Sequence, residues 1–205
     1  MPESIPFTVS LAPGVYLVTS SSPQLSAIID GIVHIHASCI LHDGTLATFL
    51  PPLSHAALYS WWEDRLKEVT EGGRQLIVCL SEISNRTAVI EPQLEVSGVV
   101  SLNTPFSQTG PFRALVEKLF VSPLHRRRGI ARRVMARLET VALRLDRWNL
   151  MLDTTVGTEA EEVYPRLGYQ KLGVVSEYGY SPVDGRLVDE VWFWKDLRRM
   201  KVLQE

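Results

Sequence analysis

The residues whose types and spacing could do chemistry concentrate between 119 and 131, in Leu119-Phe120-Val121-Ser122-Pro123-Leu124-His125-Arg126-Arg127-Arg128-Gly129-Ile130-Ala131. An apolar run that reads as a buried strand enters a short basic loop with one glycine and passes directly into a helix. Ile130, Val134, Leu138, Val141 and Leu145 recur at helical spacing, so the helix is expected to continue to about Asp146. A helix that starts there leaves its first N–H groups without intrahelical partners. Those groups, the positive end of the helix dipole and three neighbouring arginines favour a bound anion, and a pyrophosphate in particular. Gly129 lets the backbone come close to such a group.

Other reactive side chains suggest less. His34, His36 and His42 share one predicted helix, but His34 and His36 face apart and no cysteine or carboxylate completes a tetrahedral set, so no metal site is expected. Cys39 and Cys79 read as two small core residues; their separation gives neither a disulfide framework nor a zinc spacing. Neither falls near a predicted catalytic element. The Trp61-Trp62 pair reads as core.

The elements that must position the basic loop follow from periodicity and punctuation. Gly14 to Thr19 alternates as a first strand, and Pro23 to about His42 is apolar and helical. Ser54 caps a second helix that runs to about Thr70 and ends at Glu71-Gly72-Gly73. Strands are expected over 74–82, 94–102 and 112–121. Ser84-Asn85-Arg86 and Glu91-Pro92 flank a loop between the first two of these. After the central helix come a short strand at Trp148–Asp153 and a helix from Thr158 to Leu167 that stops at Gly168. Two closing strands, 171–180 and 187–194, surround the turn signal Pro182-Val183-Asp184-Gly185. The order β-α-α-β-β-β-α-β-α-β-β describes a mixed α/β sheet with a helical crossover in its second half.

The chain has 205 residues, 45% hydrophobic and 21% charged, an ordinary globular composition expected to form one domain over 1–205. A net charge of −2 gives no global bias toward nucleic acid or membrane, so the basic cluster needs a local reason. Residues 1–10 lack the pattern of a signal peptide, and no apolar run approaches about 18 residues, so a cytoplasmic protein without a spanning helix is expected.

Arg126-Arg127-Arg128-Gly129-Ile130-Ala131 resembles the Arg/Gln-x-x-Gly-x-Gly/Ala signature of the Gcn5-related N-acetyltransferase (GNAT) superfamily. Val163-Tyr164-Pro165-Arg166-Leu167-Gly168-Tyr169 is similar to its Tyr-x-x-x-Gly-Phe/Tyr segment. A closer likeness is to the tabtoxin-resistance acetyltransferases and similar fungal enzymes. It is carried by Asp43-Gly44-Thr45-Leu46-Ala47-Thr48-Phe49, Leu152-Asp153-Thr154, Ser181-Pro182-Val183-Asp184-Gly185-Arg186 and Trp192-Phe193-Trp194-Lys195, and it covers about residues 24–197. Two departures stand out: Arg127 occupies a position that is Gly in many relatives, and Leu115 one that is a carboxylate in the subgroup.

The resemblance implies a mixed central sheet of six or seven strands with helices on both faces, and acetyl transfer from acetyl-CoA to an amine in a direct ternary complex. It implies that the backbone at Leu119, Phe120 and Val121 pairs with the pantetheine amides, and that Arg126, Arg127, Arg128, Gly129, Ile130 and Ala131 hold the phosphates. An amine of pKa near 10 is only about one part in a thousand neutral at pH 7, so its deprotonation needs help. Asp153 stands first as the base because its family position is intact. Glu117 leaves the same strand face as Leu115, ~6.5–7 Å further along, and is the alternative, with water as a bridge. Tyr164 is the family-matched group at the departing sulfur; with a phenol near 10 against a thiol near 8.5, a hydrogen bond to the developing thiolate is a better role than full proton transfer. Asp43, Thr45 and Phe49 lie in the loop implied to cover the acceptor. The partner is then a small-molecule amine, an amino-acid-like compound or an amine toxin, taken up by a monomer or homodimer. Rival readings are a peptide or protein N-acetyltransferase and a non-catalytic acyl-CoA-binding sensor; a nucleic-acid module lacks a second basic stripe.

Overall fold

The computed structural model describes residues 11–83 and 94–198; the loop flanked by Ser84 and Pro92 lies outside them. The elements run β1 (Gly14–Val18), α1 (Leu25–Asp43), α2 (His55–Thr70), β2 (Arg74–Glu82), β3 (Leu94–Asn103), β4 (Arg113–Val121), a 3-10 turn (Pro123–His125), α3 (Ile130–Arg144), β5 (Asn149–Thr155), α4 (Glu159–Arg166), β6 (Gln170–Tyr180) and β7 (Leu187–Asp196). The expected order is found, with no element end moved by more than two residues. α3 stops at Arg144 rather than Asp146, because Asp146 takes a left-handed backbone at φ 56°.

The strands form one seven-stranded sheet in the order β1-β2-β3-β4-β5-β7-β6. Every neighbouring pair is antiparallel except β4 and β5. Alternation divides each strand between two cores. Ile77 and Cys79 of β2, Val100 and Leu102 of β3 and Ala114 and Val116 of β4 meet Ile130, Val134 and Leu138 of α3 on one face. Leu76, Val78, Leu80, Val99 and Phe120 meet α1 and α2 on the other.

α1 corrects one expectation. Its 19 residues have a mean hydropathy of 1.4, enough by length and composition to cross a membrane. Sequence inspection passes over it because three histidines, an aspartate and a glycine interrupt the apolar run. In the fold its apolar side chains Ile28, Ile29, Ile32, Val33, Ile35 and Ile40 are buried in the core against the sheet and α2. Gly31 belongs to this packing: a Cβ there would come within 2.7 Å of the Val96 side chain on β3.

His36 joins the elements of this face. It is fully buried, the Trp62 indole N–H donates to its Nδ1 at 3.1 Å, and its Nε2 lies 2.8 Å from the Ala47 carbonyl. Nδ1 accepts, so Nε2 carries the proton and donates. The ring stacks on Phe120 of β4 with centroids 4.8 Å apart. One imidazole thus fastens α1, α2, the loop after α1 and the strand that leads into the basic loop. Burial pushes its pKa down to about 4, against a smaller opposing effect of the Ala47 hydrogen bond.

A histidine whose folded pKa lies below its unfolded value binds fewer protons when folded. Its stability contribution is complete above pH 6.5 and is lost as pH falls toward 4, by about 3 kcal/mol at most. Urea denaturation from pH 7 to 4 is expected to show this loss in the wild type. His36→Gln should start from a lower midpoint and show a flatter decline over the same window.

Candidate active site

The site begins where a strand ladder stops. β4 pairs with β5 only from Arg113 to Leu115, against Asn149 to Met151, although β4 continues to Val121 and β5 to Thr155. Its other edge stays paired with β3, with the register shifting between Val99 and Ser101. Opposite that shift Lys118 adopts φ 57°, a bulge that bends β4 away from β5. The β5-facing backbone of Val116 to Val121 therefore has no strand partner among the described residues, and the two strands open into a cleft. Leu119, Phe120 and Val121 lie along that open edge.

At the end of that wall the chain makes the 3-10 turn and enters α3. Gly129 caps the helix at φ 72° and nothing stands within 4 Å of where its Cβ would be. The helical bonds resume with the Arg133 N–H donating to the Gly129 carbonyl, so the N–H groups of Ile130, Ala131 and Arg132 precede the ladder. Gly98 seats this helix end: a Cβ there would lie 2.5 Å from the Ile130 side chain, so only glycine lets α3 approach β3 so closely.

The three arginines divide their work. Arg126 forms an ion pair with Asp43 at the end of α1. Arg128 donates to His125 Nδ1 at 3.3 Å, and His125 Nε2 lies 2.6 Å from Glu95 on β3. A guanidinium can only donate, so this buried imidazole carries its proton on Nε2 and donates to Glu95. Arg127 is exposed, with φ 60°. The loop's shape thus depends on Asp43 and on the Glu95–His125–Arg128 chain, two supports the sequence alone did not reveal.

Across the cleft, Tyr164 on α4 is buried against Tyr169 and Phe193. Burial raises its phenol well above the ordinary value, with Asp153 and Glu190 pushing in the same direction. The structure therefore brings Tyr164 and Asp153 within electrostatic reach of each other. Asp153 is exposed on β5.

Glu190, on β7, was not singled out from the sequence. It lies opposite Thr155 in the β5–β7 ladder, only 2% exposed, and accepts from the Thr155 hydroxyl at 2.8 Å. Burial and its hydrogen bond with Asp153 raise its pKa to about 8. The available signal was a carboxylate immediately before the apolar run Val191-Trp192-Phe193-Trp194, on the Trp192 face of the strand.

Glu117 occupies a different setting. Its Oε2 accepts from Arg74 at 2.6 Å and its Oε1 from Asn103 at 3.3 Å. Arg74 is itself buried and also bonds Ser101 and Glu68. Glu117 thus belongs to an ion-paired network across β2, β3 and β4. Lys118 beside it packs over the Trp61 ring at 5.7 Å, and burial lowers its pKa.

The loop after α1 faces the hairpin of β6 and β7. A Cβ on Gly44 would meet Val183 at 2.8 Å, and one on Gly179 would meet Leu46 at 2.8 Å. Of the expected acceptor residues, Asp43 is turned to Arg126, Thr45 donates its N–H to the Cys39 carbonyl, and Phe49 packs edge-on to His36. Cys39 also departs from expectation, because its sulfur lies 4.0 Å from the Val121 carbonyl at the end of β4. Burial, followed by the neighbouring Asp43, pushes that thiol up to about 12, which keeps it a protonated bystander.

The cleft between the splayed parallel strands thus has a helix start with unpaired N–H groups at one end and a phenol and carboxyl groups at the other. Residues 84–171 match the family model described as the acetyltransferase (GNAT) domain. The fold is that of solved acetyltransferases. A phosphinothricin acetyltransferase from Sinorhizobium meliloti, in complex with acetyl-CoA, is 19% identical over 89% of this chain and 88% of that one, with a TM-score of 0.65. A ribosomal-protein-alanine N-acetyltransferase from Brucella melitensis is 18% identical over 89% and 99%, also at 0.65. A Salmonella typhimurium protein solved with its cofactor acetyl-CoA is 17% identical over 89% and 94%, at 0.63. Residues 84–171 thus match a GNAT acetyltransferase domain model, and the chain as a whole shares the fold of solved acetyltransferases.

Both cysteines are free and buried. An aromatic disulfide reagent at pH 8 should titrate neither thiol in the native protein and both after denaturation; fast native labelling of Cys39 would contradict its placement.

Proposed function

We propose that this acetyltransferase uses acetyl-CoA to acetylate the amine of a small molecule, an amino-acid-like compound or an amine toxin. The observation that carries the small-molecule reading is the contact of Gly44 and Leu46 with Val183 and Gly179. These contacts bridge the acceptor side of the sheet, and a bridged approach suits a compact amine better than a protein surface. The segments that meet there, 43–49 and 181–186, are those that resemble the tabtoxin-resistance enzymes. The solved neighbours with acetyl-CoA support the choice of acyl donor. An enzyme dependent on acetyl-CoA works where that thioester is supplied, which is why we assign it to the cytoplasm.

The residues present fit acetyl-CoA. The N–H groups of Gly129 to Arg132 and the Arg128 guanidinium suit its pyrophosphate. The unpaired edge of Leu119 to Val121 suits its pantetheine amides. Bound acetyl-CoA supplies an activated thioester carbonyl. Asp153 removes a proton from the acceptor amine, and Tyr164 donates a hydrogen bond toward the sulfur as charge develops there. A phenol made less acidic by burial keeps its proton and acts as a donor. Glu117, held by Arg74 and Asn103, secures the strand that carries the cofactor edge.

Thiol release from acetyl-CoA is to be measured against a panel of small amines, D- and L-amino acids and a peptide with a free N-terminus, with mass spectrometry of the products. Turnover with small amines alone is the expected result. Turnover with the peptide alone would transfer the assignment to the peptide class, and binding without turnover to a sensor. Tyr164→Phe should lower kcat by about 10²-fold or more with little change in acetyl-CoA affinity. Gly129→Ala forces a side chain into a left-handed backbone and places a methyl where phosphate must approach. Calorimetry should show acetyl-CoA binding weakened about tenfold or more, for a stability loss of only about 1 kcal/mol.

A further inference from the structure

The geometry points to Asp153 and Glu190 acting as one unit that shares a single proton. We propose that the acceptor is taken up as an ammonium ion in exchange for that proton, with Asp153 facing the amine and Glu190 as the positioning residue behind it. This inference rests on the amine-acetylating reading above and adds how the amine is recognised.

The pair is built by strand register. Thr155 and Glu190 are directly opposite in the β5–β7 ladder, and Asp153, two residues before Thr155, lies on the same face. Asp153 is exposed while Glu190 is almost fully buried. Burial of Glu190 and its interaction with the neighbouring Asp153 carboxyl group favour a proton held at the pair. The Thr155 hydroxyl holds the far oxygen of Glu190 at 2.8 Å and fixes its orientation. The charged and titratable groups facing the pair come from the surrounding elements: Lys118 on β4, Tyr164 on α4 and Tyr178 on β6. Lys118 is the cation among them, and it favours the ionised pair. Tyr178 packs edge-on to Trp192, with centroids 6.2 Å apart, on the same face as Glu190.

Two carboxylates this close repel, and Lys118 is the weakest of the influences on Glu190, so the resting pair keeps one proton and a charge of −1. An ammonium beside Asp153 supplies the missing positive charge and expels the proton. The doubly ionised pair then accepts one proton from the ammonium. The neutral amine attacks the thioester carbon; the C–N bond forms and the C–S bond breaks. The sulfur leaves with the electron pair and takes up the second proton from nitrogen, leaving amide and free thiol. The proton the pair took from the ammonium restores its resting state, and the one proton released to solvent is that expelled on binding, so the cycle balances as ammonium plus thioester giving amide, thiol and one proton.

The test uses the whole protein. Carbon-13 NMR with labelled glutamate should show one side-chain carboxyl titrating near pH 8, absent in Glu190→Gln and displaced upward in Thr155→Val. Saturation with a primary ammonium substrate should displace that titration below pH 7 and release a proton, read by calorimetry in buffers of different ionisation enthalpy. With an acceptor whose own pKa is below about 6, kcat/KM should still rise through pH 8. Glu190→Gln should lose that limb and fall about 10- to 100-fold, while acetyl-CoA affinity stays unchanged. A glutamate carboxyl titrating only near its ordinary value, or an unaltered pH limb in Glu190→Gln, overturns the proposal. If Glu190→Gln does not fold, the shift in Thr155→Val decides. Absence of turnover with every amine would sink the acetylation reading, whereas the carboxyl titration in the free protein reports on the pair in either case.

Discussion

The structure depends on one interrupted ladder. Backbone N–H and C=O groups removed from water must find partners, so a sheet does not leave a strand edge open in its middle without cause. Here β4 and β5 pair for three residues and then part. The bulge at Lys118 is what bends β4 away, and it holds a non-glycine residue at positive φ. Such strain persists when the surroundings hold it. They do so here through Arg74, which ties Glu117 to Ser101 and Glu68, and through His36 and Trp62, which clamp Phe120 from the other side. The open edge is thus maintained by a polar network just before the bulge and an aromatic cluster just after it. An extended ligand that completes the ladder recovers backbone hydrogen bonds the protein alone leaves unmade.

Burial then sorts the titratable groups of this region by function. His36 and Cys39 are driven toward their neutral forms and become packing material, although both are residue types that could ligate or attack. Tyr164 is driven the same way, and neutrality is what a hydrogen-bond donor at a thiolate needs. Glu190 is also pushed toward neutrality, but its carboxyl partner sits at the cleft surface, where a cation can reverse the effect. Desolvation alone would make every one of these groups inert. Access from the cleft is what distinguishes the proposed Asp153–Glu190 pair from the other buried groups.

Much of the fold was legible because its signals are local. The stripe from Ile130 to Val141, the Ser54 cap, the Pro182–Gly185 turn and the strand alternations each depend on residues close in sequence. Ser54 does accept from the Ala57 N–H as a cap should. What could not be read are features made by register and close approach. The role of Glu190 exists only because β7 pairs with β5 so that it faces Thr155. Gly98 and Ile130 meet across 32 positions of sequence that give no sign of the contact. The apolar character of α1 was hidden by histidines, one of which turned out to be its most buried polar group.

The basic loop illustrates the same division between composition and geometry. Three consecutive arginines suggest a single concentrated positive patch, yet a chain that turns through Pro123–His125 sends their side chains in different directions. Arg126 is spent on Asp43, joining the end of α1 to the loop. Arg128 leans on His125, whose other nitrogen is held by Glu95. An unsupported guanidinium on a flexible stem would lose much of its interaction energy to side-chain entropy on meeting a phosphate. A guanidinium already held by a buried imidazole has lost that freedom beforehand. The acidic partners Asp43 and Glu95 therefore do not argue against the proposed phosphate site; by fixing the loop they would let the helix N–H groups and Arg128 act on one target together.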